Sequence, residues 1–367
     1  MVEGREGERD RAAVVVNPVR STGSFVATQP TEVIMQRTNA VKAYPTLAAA
    51  VLAMAALVDP IISTASAASS YPSRPVRMVV PYAPGGGSDI AGRTIGQKLG
   101  EWTGQTFIVD NRPGAGSMVG TEIVARAVPD GYTIILADMP HSINSVAYSK
   151  PRYDAVKDFA PISLVATAPI MWVAHPSFPA NSLKELIAMA KAQPGKISFG
   201  TSGIGSAPHM TYEWLRHRTG MQLNHVPYKG GGPAIADVLA NHIPLAFNAT
   251  PPSIGHVREG RMKGIGISSA TRHPLLPDVP TIMEAGVPDF ALIHWYGILA
   301  TGGTPREVVV LLNGLIRKAL EEPDVKKRFA QLALDISPSS PEAFRKMIEG
   351  DVARWRDVVR QANIRLD

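Results

Sequence analysis

Pro81-Tyr82-Ala83-Pro84-Gly85-Gly86-Gly87-Ser88-Asp89 is the stretch that decides the fold. An apolar run, Val76-Arg77-Met78-Val79-Val80, leads into it. After it, Ala91, Ile95, Leu99 and Trp102 recur at helical spacing. A strand, a glycine-rich turn and a helix start bring free N–H groups and the positive end of a helix to one spot, which suits an anion. Ser88 or Asp89 is placed to cap that helix. The same pattern also serves as a plain strand-to-helix connection, and this stretch alone leaves both readings open.

Working outward, strand and helix patterns alternate, which predicts an α/β fold. Phe107-Ile108-Val109-Asp110 reads as a strand and Asn111 to Gly116 as a turn, followed by a helix through Val119, Ile123 and Val124. Tyr132 to Ala137 has the length of a buried strand and empties into a loop, Asp138-Met139-Pro140-His141-Ser142. Loops at the carboxyl ends of strands are where open α/β sheets bind ligands. Ser182-Leu183-Lys184-Glu185 is a capping box. The opening device recurs at Lys196 to Gly200, a strand, then Thr201-Ser202-Gly203-Ile204-Gly205-Ser206, then a helix through Met210 and Trp214. Strands are expected at Leu223–Val226, Leu245–Phe247 and Gly264–Ile267. A helix with Val308, Leu311, Leu312, Leu315, Ile316 and Ala319 on its apolar face should start at Thr304-Pro305-Arg306-Glu307, and another at Ser340-Pro341. Two extended segments, near 160–175 and 291–299, bracket the middle of the chain. Two connections between lobes are the layout of a hinged cleft.

The 367 residues carry a net charge of +6 and 45% hydrophobic residues. That composition is globular, and the modest positive charge favours small anionic partners over nucleic acid, which needs a dense basic patch. The chain has no Cys, so it has neither disulfides nor a thiolate metal site. Met35 to Lys42 reads as a basic n-region, and Pro45 to Val58 as an apolar run shorter than the roughly 20 residues of a membrane span. Ala65-Ser66-Ala67 fits a cleavage motif. Residues 35–67 are thus expected to be a signal peptide cleaved near Ala67, with a buried helix or an uncleaved anchor as the alternatives. Residues 1–34 lack periodicity and are expected to be a non-native or disordered extension, with translation starting at Met35.

Several motifs together carry a resemblance. They are Val80 to Asp89, Asp110-Asn111-Arg112-Pro113-Gly114-Ala115-Gly116, Pro129-Asp130-Gly131-Tyr132, Val226-Pro227-Tyr228-Lys229-Gly230, Leu276 to Thr281, Trp295-Tyr296-Gly297 and Gly303-Thr304-Pro305. In this order the chain from Tyr71 onward resembles the extracytoplasmic receptors of the tripartite tricarboxylate transporters, the Bug or TctC type. The resemblance implies a type II periplasmic-binding-protein fold, with two α/β lobes, two hinge crossovers and a ligand cleft between them. The lobes are expected at 68–172 plus 294–367 and at 173–293. It further implies a periplasmic, non-enzymatic monomer that captures a small carboxylate for a membrane permease. A ligand sensor and an exported hydrolase or lyase are the rival functions.

The expected ligand loops are Pro84, Gly85, Gly86, Ser88 and Asp89 on one side, and Thr201, Ser202, Gly203, Gly205 and Ser206 on the other. Two helix starts facing one cleft would suit two separated carboxylates. Asp89 reads as a cap rather than a contact, because a carboxylate repels a carboxylate. The Ser206 amide is expected at the ligand. Tyr82, Asp138, Ser142, His209, Tyr228 and Lys229 are further candidates, each with an ordinary packing or surface reading beside it. Asn111 reads as a turn residue and Trp295 as hinge packing. Asn248 stands where many relatives carry Asp, so the resemblance gives no ammonium partner there. No cofactor or metal is expected: the glycine run lacks the third Gly of a dinucleotide fingerprint, no phosphate-binding G-x-x-x-x-G-K-[ST] occurs, and the nine His are scattered. Gly200-Thr201-Ser202-Gly203-Ile204 misses the nucleophile-elbow pattern.

Overall fold

The computed structural model describes residues 71–366. The extension, signal peptide and cleavage site expected before residue 68 lie outside the described residues. Among the described residues no helix is long and apolar enough to cross a membrane.

The chain opens with β1 (Val76–Val80), α1 (Gly87–Thr103), β2 (Phe107–Asn111), α2 (Met118–Ala125) and β3 (Thr133–Asp138). These three strands are parallel in the order β2-β1-β3. β1 and β3 are almost wholly buried, as their mainly Val, Met, Ile and Leu content requires of a sheet covered on both faces. Next come α3 (Pro140–Ala147) and the long β4 (Phe159–Ala174). The device then repeats with α4 (Leu183–Ala192), β5 (Ser198–Thr201), α5 (Ala207–Thr219), β6 (Asn224–Pro227), α6 (Gly231–Leu239) and β7 (Leu245–Ala249). Here β5 pairs in parallel with β6 on one side and β7 on the other, the same arrangement as β1 between β2 and β3. The chain closes with α7 (Ile254–Arg258), β8 (Lys263–Ile267), β9 (Ile293–Thr301), α8 (Arg306–Glu321), α9 (Pro323–Gln331), β10 (Asp335–Ile336) and α10 (Pro341–Gln361).

Two sheets share one strand. Phe159 to Pro169 of β4 pairs antiparallel with β9, which in turn pairs with β3. Ile170 to Ala174 of the same strand pairs with β7, and Met171 to Ala174 with β8. β4 therefore carries the chain from the first sheet into the second, as expected of the segment near 160–175. Where it enters the second sheet, Trp172 lies opposite Phe247 and stacks on it at 4.3 Å between ring centroids. Phe199 and Tyr212 close the same cluster.

The structure departs from the expected elements in four places. Asp138 to Ser142 is not a loop throughout: α3 starts at Pro140, whose fixed φ suits a first helical turn. α9 was not expected; Pro323 starts it, and Val325 and Phe329, at i and i+4, are its buried face. Thr304 does not cap α8, because its hydroxyl donates to Thr301 O instead. Leu311 is exposed rather than on the apolar face of α8.

Candidate functional site

A cavity of about 30 Å³ lies where the two sheets meet. One wall is the start of α1, through Gly86, Gly87 and Ser88; facing it are Gly231 at the start of α6 and Asn248 on β7. Neither helix start has a side-chain cap. Their first amides are therefore left to other partners, and both positive helix ends point into one space. Ser88 and Asp89 are not the N-cap that the sequence suggests; Gly86 holds that position. Asp89 sits within the first turn and accepts from Gly85 N–H at 3.1 Å, Arg93 Nε at 3.0 Å and Asn111 Nδ2 at 3.0 Å. Burial pushes its carboxyl up, but these donors outweigh that and hold it below the usual carboxylate range. Asp89 thus shapes the loop and does not line the cavity.

The floor is built by strand pairing. Asp138 at the end of β3 is opposite Tyr296 on β9. Across a ladder, opposed side chains share a face, and so does the residue two positions along, His294. All three line the cavity. His294 Nε2 is 3.4 Å from Asp138 Oδ2, and Tyr82 donates its hydroxyl to Asp138 Oδ1 at 3.3 Å. Burial, followed by the Asp138 charge, pushes the Tyr82 and Tyr296 hydroxyls well above the usual tyrosine range, so both remain protonated donors. Asn248 Nδ2 and His294 Nδ1 are buried without a hydrogen-bond partner. No Lys or Arg lines the cavity.

Of the residues expected from the sequence, Tyr82, Gly86, Ser88, Asp138, Ser202 and Asn248 line this cavity. The others do not. Pro84 and Gly85 pack instead against Gly232, where an added Cβ would sit 2.8 Å from Pro84 O and 3.1 Å from Gly85 C. Ala83 N–H donates to Lys229 O at 2.8 Å across the same seam, while the Lys229 side chain is exposed. The Tyr228 hydroxyl donates to Asp237 Oδ2 at 2.6 Å. Ser142 is fully buried on α3.

The Thr201–Ser206 loop is mostly engaged with itself. Thr201 Oγ1 accepts from Gly203 N–H at 3.1 Å and meets His225 Nε2 at 2.7 Å. Ser206 caps α5 at His209 N, and its own N–H donates to Gly203 O at 3.1 Å, so this amide is engaged within its own loop. Gly203 and Gly205 form a second seam with the first sheet's loop at Gly116. That glycine has φ +54°, and an added Cβ there would overlap Ile204 O. α6 thus brings an uncapped start to the cavity, whereas α5, whose Pro208 also lines it, has its start capped by Ser206. Gly87, Pro208, Gly231, Ala249, Pro252, His294 and Tyr296 complete the lining without having been singled out. The signal for His294 and Tyr296 was present as a same-face pair in one strand, but only the β3–β9 pairing brings them to Asp138.

His209 backs the second loop. Its Nδ1 accepts from Gly205 N–H at 3.2 Å, which requires that nitrogen to be unprotonated, and its ring stacks on His225 at 4.3 Å. Burial, then His225 and Arg216, pull His209 down to about 3. Burial alone brings His225 to about 4, and His141 also falls to about 4 for the same main reason. The unfolded chain titrates these groups near their ordinary 6.5 and binds the proton first. Stability is therefore full above that value and falls as pH drops toward 4, by up to about 3 kcal/mol for each histidine. Melting temperatures measured from pH 7 to pH 4 should show this fall, and His209→Gln should remove about a third of it; a wild-type curve flat over that window would contradict the assignment.

The chain matches the model of the tripartite tricarboxylate transporter family receptor, TctC, over residues 91–364. It is 34% identical over 307 residues to protein BugT of Bordetella pertussis, covering 83% of this chain and 94% of that one. Among solved structures, periplasmic binding protein BugD superposes with a TM-score of 0.78 at 35% identity, over 80% of this chain and 99% of BugD. An R. palustris protein solved with adipate gives 0.76 at 32% identity, over 80% and 99% of the two chains. MatC from Rhodopseudomonas palustris with bound malate gives 0.76 at 30% identity, over 79% and 100%. These likenesses together span most of the described chain. It belongs to the Bug or TctC-type receptors of the tripartite tricarboxylate transporter family and has their two-lobed periplasmic-binding-protein fold.

Proposed function

We propose that this protein is a periplasmic receptor that closes its two lobes on a small organic anion, a di- or aromatic carboxylate, and delivers it to a membrane permease. The observation that carries the reading is the meeting of two uncapped helix starts, one from each sheet, at one cavity beside the unpartnered Asn248 amide. Neutral dipoles of this kind hold an anion without the strong desolvation of a buried cation. The binding of adipate and of malate by the two R. palustris relatives supports the same ligand class.

The cavity is far below the roughly 300–1,000 Å³ of typical ligand pockets. The two seams are lined by glycine backbone, so the lobes part to admit a ligand and close on it. Both sides of the cavity come from one chain, which suits a monomer. His294 faces Asp138 through Nε2 and has no partner at Nδ1, so no serine hydroxyl is joined to this imidazole as a nucleophile would be. The receptor reading includes no chemistry, and the signal pattern at 35–67 supports export.

A thermal-shift screen tests the reading. A carboxylate present at about 100 times its Kd should stabilise the folded protein by about 2.7 kcal/mol. No shift with any mono-, di- or aromatic carboxylate, or steady conversion of one of them into a product, would sink it.

A further inference from the structure

The cavity contains a feature that a site built only for carboxylates would not have. Asp138 is 3% exposed, and it is the sole carboxylate among the lining residues, which include no Lys or Arg. Placed against a plain dianion it would repel it. The Asp138 oxygens face Tyr82 and His294, and the acceptor capacity left over suits a neutral donor on the ligand. On the walls above it the free Nδ2 of Asn248 and the two facing helix starts ask for acceptors. Building on the receptor reading above, we infer that Asp138 is the specificity-determining residue of the site and selects a carboxylate that bears a hydroxyl group, such as a 2-hydroxydicarboxylate. The hydroxyl donates to Asp138 at the floor while the carboxylates take the helix starts and Asn248.

A hydroxyl fits this corner better than an ammonium group does. Each Asp138 oxygen already has a neighbour, Tyr82 at 3.3 Å and His294 at 3.4 Å. A carboxylate has about four acceptor sites in all, so capacity for one more donor remains. An ammonium brings three donors and would leave some of them unpaired against Asn248 Nδ2, itself a donor. One hydroxyl needs one acceptor, and the floor supplies it.

Calorimetric titration with malate, succinate, 2-fluorosuccinate and aspartate tests the inference on the unaltered protein. Malate should bind about tenfold tighter or more than succinate and than 2-fluorosuccinate, whose fluorine fills the hydroxyl's place without donating. In Asp138→Leu the gap should close, with the malate-to-succinate affinity ratio falling by about tenfold or more toward one. Succinate binding by the variant shows that it is folded; should it not fold, the comparison of the four ligands on the wild type still decides. Equal affinity for malate and succinate, a gap that survives in Asp138→Leu, or aspartate bound tighter than malate would each overturn the assignment. In those cases the receptor reading stands, because a carboxylate still binds. Binding of none of the four, and of no other carboxylate in the screen, removes the receptor reading and the inference with it.

Discussion

Gly116→Val is expected to weaken ligand binding by about 100-fold or more, and to lower the melting temperature of the ligand-free protein only by the local strain of its backbone. Gly116 adopts φ +54°, a region that costs a β-branched residue strain, and its added carbons would meet Ile204 O and Gly205 C across the seam between the two sheets' loops. Those contacts exist only when the lobes are together. The open form proposed above would relieve these contacts but not the φ strain, so the contact penalty falls on closure and the strain on both forms. A closed state raised by about 3 kcal/mol relative to the open one costs about two decades of apparent affinity. Titration with the best ligand of the screen reads the affinity, and small-angle scattering should show a larger radius of gyration for the ligand-free variant. Unchanged affinity together with an unchanged radius would mean that Gly116 does not sit on a closing seam.

The largest stability effect should come from Trp172→Ala, with a loss of about 3–5 kcal/mol. Trp172 is fully buried, and its ring is stacked on Phe247 with an interplanar angle of 7° and flanked by Phe199 and Tyr212. Truncation removes the transfer energy of a large aromatic and leaves a cavity between strands of one sheet, where backbone pairing resists collapse. The indole N–H has no partner, so Trp172→Phe should recover more than half of the loss. Urea unfolding of the three proteins measures both numbers. A deficit below about 1 kcal/mol for the alanine variant would remove Trp172 from the centre of the second sheet's core.

The repeated strand–turn–helix units were legible because they are local. Val76 to Val80 and the Ala91, Ile95, Leu99 spacing place β1 and α1 without any long-range information, and the extended runs near 160 and 293 announce the two connections. The site was legible in half. Gly86, Ser88, Ser202 and Asn248 follow strand ends and could be found by position. The partner of the first loop could not, because Gly230-Gly231-Gly232 and Thr201–Ser206 carry the same glycine-rich signal. The difference lies in the Ser206 hydroxyl, which caps its own helix, whereas Gly230 leaves α6 uncapped. His294 and Tyr296 depend on β9 lying between β3 and β4, a pairing between residues more than 150 positions apart that no local pattern encodes. α9 was hidden by its charge: Asp324, Lys326, Lys327 and Arg328 surround a buried face of only two residues, Val325 and Phe329.

The place of β9 also governs the order in which the chain can become native. β1, β2 and β3 are complete by residue 138, yet β3 has no neighbour on its outer side until residues 293–301 arrive, and the covering helices α8 and α10 come later still. The first lobe is therefore an unfinished product during most of synthesis, with an open strand edge and a bare apolar face. High sequence separation of this kind makes folding slow. In a chain exported as proposed above, the same delay would leave the first lobe open until its last third is available to complete it.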